Sequence, residues 1–196
     1  MPRIKQRTPE LRDHVLSVAL DLLARDGVAA FTTRSVASAS HTSTPAIYEL
    51  FGDKSGLVRE IFFEGFRKLR RQLGQAGESD DPRADLVALV GLYRSFIRHN
   101  PVLAEVMFSR PFSDFSPTGA EVKAGSSVRT FIVARVRRCI DAGIIAGDET
   151  DIAHVLVALV QGLAAAESTR RLGNSRKSIE RRWQLAVDAV LDGFSA

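Results

Sequence analysis

Apolar residues recur along the chain at the i, i+3, i+4, i+7 spacing of buried helix faces, and no stretch shows the two-residue alternation of a strand. Val15, Val18, Ala19, Leu22 and Leu23 form the first such face, opened by Thr8-Pro9 and stopped by Gly27. A short second helix starts after Thr32 or Thr33 and carries Val36 and Ala37, before a polar break at Ser40-His41-Thr42. A third starts at Ser43 or Thr44, with Pro45 in its first turn and Ala46, Ile47, Leu50 and Phe51 on its apolar side. Asp53 caps a long fourth helix lined by Leu57, Val58, Ile61, Phe62, Phe66, Leu69 and Leu73, which ends in the loop 74–82.

Leu86, Leu89, Val90, Tyr93, Phe96 and Ile97 mark a fifth helix, stopped at His99-Asn100-Pro101, and residues 102–108 make a short sixth. Residues 110–117 hold two prolines and no period, so they read as a loop with Phe112 and Phe115 to bury. Val128, Phe131, Ile132, Val136, Cys139 and Ile140 line a seventh helix ending near Ala142-Gly143, with Arg135 interrupting its face. The eighth, about 151–172, is apolar almost all round and must be covered on more than one side. Ile179, Trp183, Ala186, Val187, Val190, Leu191 and Phe194 give the ninth a clean stripe. The expected fold is all-α: a three-helix head, residues 1–56, followed by six helices over residues 57–196.

At 196 residues the chain suits one or two domains, and 45% hydrophobic with 26% charged residues is ordinary for a soluble globular protein. The longest apolar run, 152–166, contains His154 and Gln161 and falls short of a membrane span. Residues 1–7 carry charges with no apolar core behind them, unlike a signal peptide, so a cytoplasmic location without a membrane partner is expected. The single cysteine, Cys139, rules out an intrachain disulfide and a cysteine-based zinc site. His14, His41, His99 and His154 lack paired ligand spacing, no glycine-rich phosphate loop is present, and no nucleophile has a nearby base. No metal, cofactor or catalysis is expected. A net charge of +4 agrees with a nucleic-acid partner.

The second and third helices, joined by three or four residues, make a helix-turn-helix whose second helix can enter a DNA major groove. That helix has no Arg or Lys, so the common bidentate guanine contact cannot come from it. Arg34, at the start of the preceding helix, is the candidate for that contact, with a phosphate clamp as its alternative role. His41, Thr42, Thr44, Pro45 and Ala46 complete the candidate readout set, Pro45 and Ala46 against thymine methyls. Arg3 and Lys5 lie on a tail that is solvated in the free chain and can follow phosphates or a minor groove on DNA.

Residues 11–62 resemble the N-terminal domain of TetR/AcrR-type transcriptional regulators. The matching pieces are Ala19-x-x-Leu22-Leu23, Asp26-Gly27, Phe31-Thr32, Val36-Ala37, Ser43, Ile47-Tyr48-x-x-Phe51 and Lys54-x-x-Leu57. The family's usual Ala-Gly-Val-Ser turn is replaced by Ser40-His41-Thr42-Ser43, which puts His41 where a left-handed backbone is often needed. A weaker likeness to one C-terminal subgroup covers Tyr93-Arg94-Ser95-Phe96, His99-Asn100-Pro101, Met107-Phe108 and Gln161-Gly162-Leu163.

The resemblance implies a ligand-responsive regulator, more often a repressor, in which Thr32, Thr33, Ser43, Tyr48 and Lys54 touch phosphates. It implies a homodimer built from the last two helices, reading a palindromic duplex. The candidate interface here is Val155, Ala158, Leu159, Gly162, Ala165, Ala166, Trp183, Val187 and Val190, with completion of a monomer core as the alternative. A small-molecule effector is expected among helices four to eight. Tyr93, Phe96, Met107, Phe108, Phe112, Phe131, Arg135 and Gln161 are its candidate lining, each also a possible core residue. An inward Arg135 would ask for an anionic group on the ligand. Two other classes stay open: a helical DNA-binding protein without an effector, and a helical small-molecule-binding protein or enzyme.

Overall fold

The computed structural model describes residues 8–109, Phe112, Phe115 and 119–196, except for the side chains of 120–122 and 124. These residues form α1 (Pro9–Ala30), α2 (Thr33–Ala39), α3 (Thr44–Phe51), α4 (Lys54–Leu73), α5 (Pro82–His99), α6 (Pro101–Phe108), α7 (Gly119–Asp141), α8 (Glu149–Ser168) and α9 (Arg176–Gly193). Among the described residues the only extended pairing is an isolated bridge between Ile145 and Ser195. The all-α expectation holds. The chain divides into two compact units, Met1–Arg67 with Asn100–Ala124, and Lys68–His99 with Gly125–Ala196. The expected division after residue 56 therefore falls inside α4, and α6 joins the unit that holds the head.

In the first unit α1 packs against α2 and α6, and α2 against α3. Its core gathers Val15, Ala19, Leu23, Phe31, Val36, Ile47, Leu57 and Ile61, all nearly or fully buried. The helix starts are local chemistry. Thr8 Oγ1 accepts from Leu11 N–H at 3.3 Å, Ser43 Oγ from Ala46 N–H at 3.3 Å, and Asp53 Oδ1 from Gly56 N–H at 2.7 Å. Gly27, at φ 76°, breaks α1 where expected, although a further turn continues to Ala30. Gly65 lets α6 approach α4 closely, since an added Cβ would lie 2.5 Å from Met107 Sδ.

In the second unit α5 packs on α8 and α8 on α9. Arg94 of α5 clasps them: Nε donates to Glu167 at 2.9 Å, the guanidinium lies 4.6 Å from the Trp183 ring, and Trp183 Nε1 donates to Glu167 at 2.7 Å. The loop 74–81 is pinned by α7. Arg135 Nη2 donates to the Ala76 carbonyl at 3.2 Å and Arg135 pairs with Glu78. Asp85 accepts from Ser79 N–H at 2.9 Å and from Arg138 Nη1 at 2.7 Å. The Ser79 amide first, and then Arg138, hold the Asp85 carboxyl down to about 2.

Two helix boundaries differ from expectation. α7 begins at Gly119, well before Val128, because residues 119–127 lack apolar periodicity yet continue the helix. α8 stops at Ser168, short of residue 172, with Arg170 at φ 57°. Arg170 N–H donates to Glu167 O at 3.1 Å and Arg171 N–H to Ala166 O at 2.8 Å, the paired bonds of a Schellman stop.

α8 is more apolar than the run 152–166 suggested, and a core helix can be so as well. By length and composition it is apolar enough to cross a bilayer, and only 28% of its apolar stretch is buried. Val155 is 42% exposed, and Ala158, Gly162 and Ala165 continue that open face, with Leu159 and Ala166 half-buried beside it. Trp183 and Val187 are not on it. They are 3% and 4% exposed within the single chain, consumed by the clasp and the α8–α9 contact, so they have no surface left for a second copy. On α9 the large apolar residue that faces outward is Leu185, 67% exposed, which the sequence pattern had not singled out, while Val190 is half-buried.

Candidate nucleic-acid interface

Thr32 opens the motif. Its Oγ1 accepts from Ser35 N–H at 3.0 Å, and Ser35 Oγ accepts from Thr32 N–H at 3.0 Å, a reciprocal cap that fixes where α2 begins. α2 ends in a Schellman stop: His41 N–H donates to Ser38 O at 3.2 Å and Thr42 N–H to Ala37 O at 2.9 Å. His41 occupies the left-handed position at φ 52°. The turn thus keeps the geometry glycine would supply, at the expense of Cβ crowding. His41→Gly should raise stability by about 0.5–1 kcal/mol, read from the urea midpoint of the full chain. An unchanged or lower midpoint would show that the turn carries no such strain.

Ser43 then caps α3, and Gly52 at φ 81° closes it. Ile47 and Phe51 point into the core. His41, Ser43, Pro45 and Tyr48 are exposed, and Thr44 and Ala46 half-buried. Tyr48 is 47% exposed, and its hydroxyl lies 3.4 Å from Thr33 Oγ1 of α2. Arg34 is exposed and has no hydrogen bond or ion pair among the described residues, so its guanidinium fork is available. Thr42 is half-buried, and its Oγ1 is buried without a hydrogen-bond partner among the described residues. Arg3 and Lys5 lie outside the described residues.

Two features of this face were missed. Arg12 of α1 pairs with Glu60 at 2.8 Å and lies 5.4 Å from the Phe51 ring, tying α1 to the end of α3. A lone arginine one turn ahead of an apolar face carries no signal of that. Phe112 is 5% exposed; its ring centroid is 5.6 Å from that of Phe31 and 5.2 Å from Lys54 Nζ. It packs with head residues of the first unit.

The remaining expected lining residues are distributed over both units. Met107 packs on Gly65, and Phe108 meets Phe66 edge-on at 6.2 Å, both in the first unit. In the second, Phe131 lies between Arg70 at 3.8 Å and Arg135 at 4.8 Å. Arg135 is in ion-pair contact with Glu78, while its buried Nε has no hydrogen-bond partner among the described residues. Phe96 is plain core, 1% exposed. Tyr93 does border a cavity, of about 10 Å³, with Leu86, Leu89, Ile132, Leu156 and Val160. Gln161 Nε2 donates to its hydroxyl at 3.1 Å, and burial pushes the phenol up to about 12, so it stays neutral.

A capped short helix, a tight left-handed turn and a second short helix with an exposed polar face define a helix-turn-helix DNA-binding protein. Residues 15–61 match the tetR family of bacterial regulatory proteins, and residues 86–190 match the tetracyclin repressor-like C-terminal domain. The chain belongs to the tetR family of DNA-binding transcriptional regulators, which are not enzymes. It is 40% identical over 60 residues to the HTH-type transcriptional regulator AcrR of Shigella flexneri, a match spanning 31% of this chain and 28% of that protein. A protein of unknown function from Rhodococcus sp. RHA1 superposes with a TM-score of 0.84 and 26% identity, over 99% of this chain and 100% of that one. A regulatory protein in the tetR family from Rhodococcus RHA1 shares the fold at a TM-score of 0.71 and 18% identity, over 96% and 99%.

Proposed function

We propose that this regulator is a cytoplasmic homodimeric repressor that binds a palindromic operator through residues 1–56 and is released by a small-molecule effector. What carries the DNA reading is the exposed α3 beside an unengaged Arg34. Thr32, Thr33, Ser43, Tyr48 and Lys54 take phosphates and set register, while Arg34, His41, Thr44, Pro45 and Ala46 face base edges. The open apolar face of α8 supports the dimer. The cavity is lined by aliphatic side chains and by Tyr93, whose hydroxyl accepts from Gln161, which suits an uncharged, mainly apolar effector.

Arg34→Ala should relax specificity, whereas Tyr48→Phe and Lys54→Ala weaken binding to all sequences alike. The assay is binding across single-base operator variants at fixed salt. A loss of about 1–3 kcal/mol confined to one G·C pair assigns Arg34 to that guanine; a uniform loss assigns it to phosphate. The small cavity favours a second reading, an effector-independent DNA-binding protein. At about 10 Å³ it has room for one water, so an effector must open it. A panel of apolar compounds that never releases operator DNA would favour that second reading.

A further inference from the structure

We infer that residues 170–182, the turn from α8 to α9 with the first turns of α9, are a second phosphate-binding surface for duplex DNA, a role that rests on the DNA-binding reading above. Sequence-independent affinity for a duplex comes from cations that neutralise phosphates. The head is poor in them. Residues 8–56 hold four cations, Arg12, Arg25, Arg34 and Lys54, against six carboxylates. Two of the four are already engaged, Arg12 with Glu60 and Arg25 with Asp26, each at 2.8 Å. Residues 170–182 hold six cations, Arg170, Arg171, Arg176, Lys177, Arg181 and Arg182, against the single carboxylate of Glu180. That net of +5 exceeds the +4 of the whole chain, so the rest of the chain is slightly acidic.

Folding does not account for these charges. Glu180 is taken by Arg94, whose Nη1 donates to it at 2.8 Å. Arg170, Arg176, Lys177 and Arg181 are exposed and make no hydrogen bond or ion pair among the described residues. Arg176 and Lys177 occupy the first turn of α9, which has no acidic residue, so the helix dipole opposes them. Lys177 and Arg181, four apart, repel each other on one side of the helix. A polyanion turns both penalties into attraction. The turn itself is fixed: Arg182 Nη1 donates to the Leu172 carbonyl at 2.6 Å, Arg171 Nε donates to Thr169 Oγ1 at 2.9 Å, and a Cβ on Gly173 would collide with Arg182 and Ser178. Its larger apolar residues, Leu172 and Ile179, are not exposed, so it lacks the apolar face with which a basic helix enters a lipid surface. Glu167, just ahead of the turn, pairs with Arg94 at 2.9 Å and Arg98 at 3.7 Å. The cations thus gather at the end of the second unit where α5 runs out at His99 and the chain passes to α6 of the first. Because both surfaces belong to one chain, a head bound to DNA raises the effective phosphate concentration at the second.

The test measures binding of the full chain to two duplexes of about 40 base pairs, unrelated in sequence, across a salt series. Arg176→Gln, Lys177→Gln and Arg181→Gln combined should lower the salt slope by about two to three and weaken binding at least about tenfold at about 50 mM salt, equally on both duplexes. Glutamine keeps the helix propensity, and relief of the repulsion should leave the melting temperature equal or higher. Arg176→Lys with Arg181→Lys keeps the charges and should keep the parent's slope. Arg181→Gln alone should lower the slope by about one, whereas Arg129→Gln, which removes one exposed charge from α7, should not change it. An intact slope in the triple variant overturns the proposal. So does an equal loss for Arg129→Gln, which assigns the effect to bulk charge, or a triple variant that melts well below the parent, which assigns these cations to the fold. Parent binding to phosphatidylserine vesicles that the triple variant loses, with its DNA slope intact, gives the surface to lipid headgroups instead. A parent that binds neither duplex sinks the DNA-binding reading as well, a failure visible before any variant is made.

Discussion

Gly56→Ala is expected to destabilise the head by about 3 kcal/mol and to abolish DNA binding with it. A Cβ on Gly56 would lie 1.8 Å from the Phe51 carbonyl oxygen and 3.0 Å from its carbonyl carbon. Both atoms are backbone, so no side chain can rotate aside. Either α4 must withdraw from the end of α3, or the last turn of the recognition helix must move. The first turn of α4 has little freedom to do so, because Gly56 N–H donates to Asp53 Oδ1 at 2.7 Å and Leu57 N–H to Asp53 O at 3.2 Å. Gly91→Ala in α5 is the control. Gly91 is exposed with nothing within 4 Å of an added Cβ, and alanine there should gain up to about 1 kcal/mol. Urea unfolding followed by circular dichroism reads both. A Gly56→Ala midpoint equal to the parent's would mean that the α3–α4 junction is not rigid.

What the sequence made legible was what is local. Thr8 and Asp53 cap the helices they were expected to cap, and of the two candidates at each of the next starts Thr32 and Ser43 are the caps, because a cap is a contact made within three residues. The stops divide by residue type. Gly143 ends α7 at φ 68° as expected, but His41 and Arg170 take the same left-handed conformation without being glycine. The resemblance flagged His41; nothing flagged Arg170, and α8 was drawn too long. The sorting of aromatics failed for a different reason. Phe112 and Phe131 are equally apolar in a pattern, yet one meets Phe31 and the other Arg70, across sequence separations no periodicity encodes. Arg135 was assigned to a ligand because its partner, Glu78, lies in a loop with no regular pattern. On α9 the stripe of Trp183 and Val187 identified a buried face correctly but not what buries it. The clasp of Arg94 and Glu167 turns that face inward and leaves Leu185 outside.

Gly162→Arg is expected to leave the chain folded and to leave it monomeric. Gly162 is exposed on α8, and an added Cβ would meet nothing within 4 Å, so the substitution asks nothing of the chain's own core. Its neighbours on that face are Val155, 42% exposed, and the small Ala158 and Ala165. A second copy packed there would bury an arginine without a counter-charge, and twofold symmetry imposes that cost twice. The expected loss is at least about 4 kcal/mol of association, roughly a thousandfold. Light scattering should give twice the 21.4 kDa chain mass for the parent and the chain mass itself for the variant, with matching melting curves. Affinity for a palindromic operator should fall towards that of one half-site, because the second recognition helix is no longer tethered to the first. A variant that keeps the dimer mass would place the interface elsewhere. A variant that unfolds would show that Gly162 serves the chain's own core, and a monomeric parent would end the dimer reading outright.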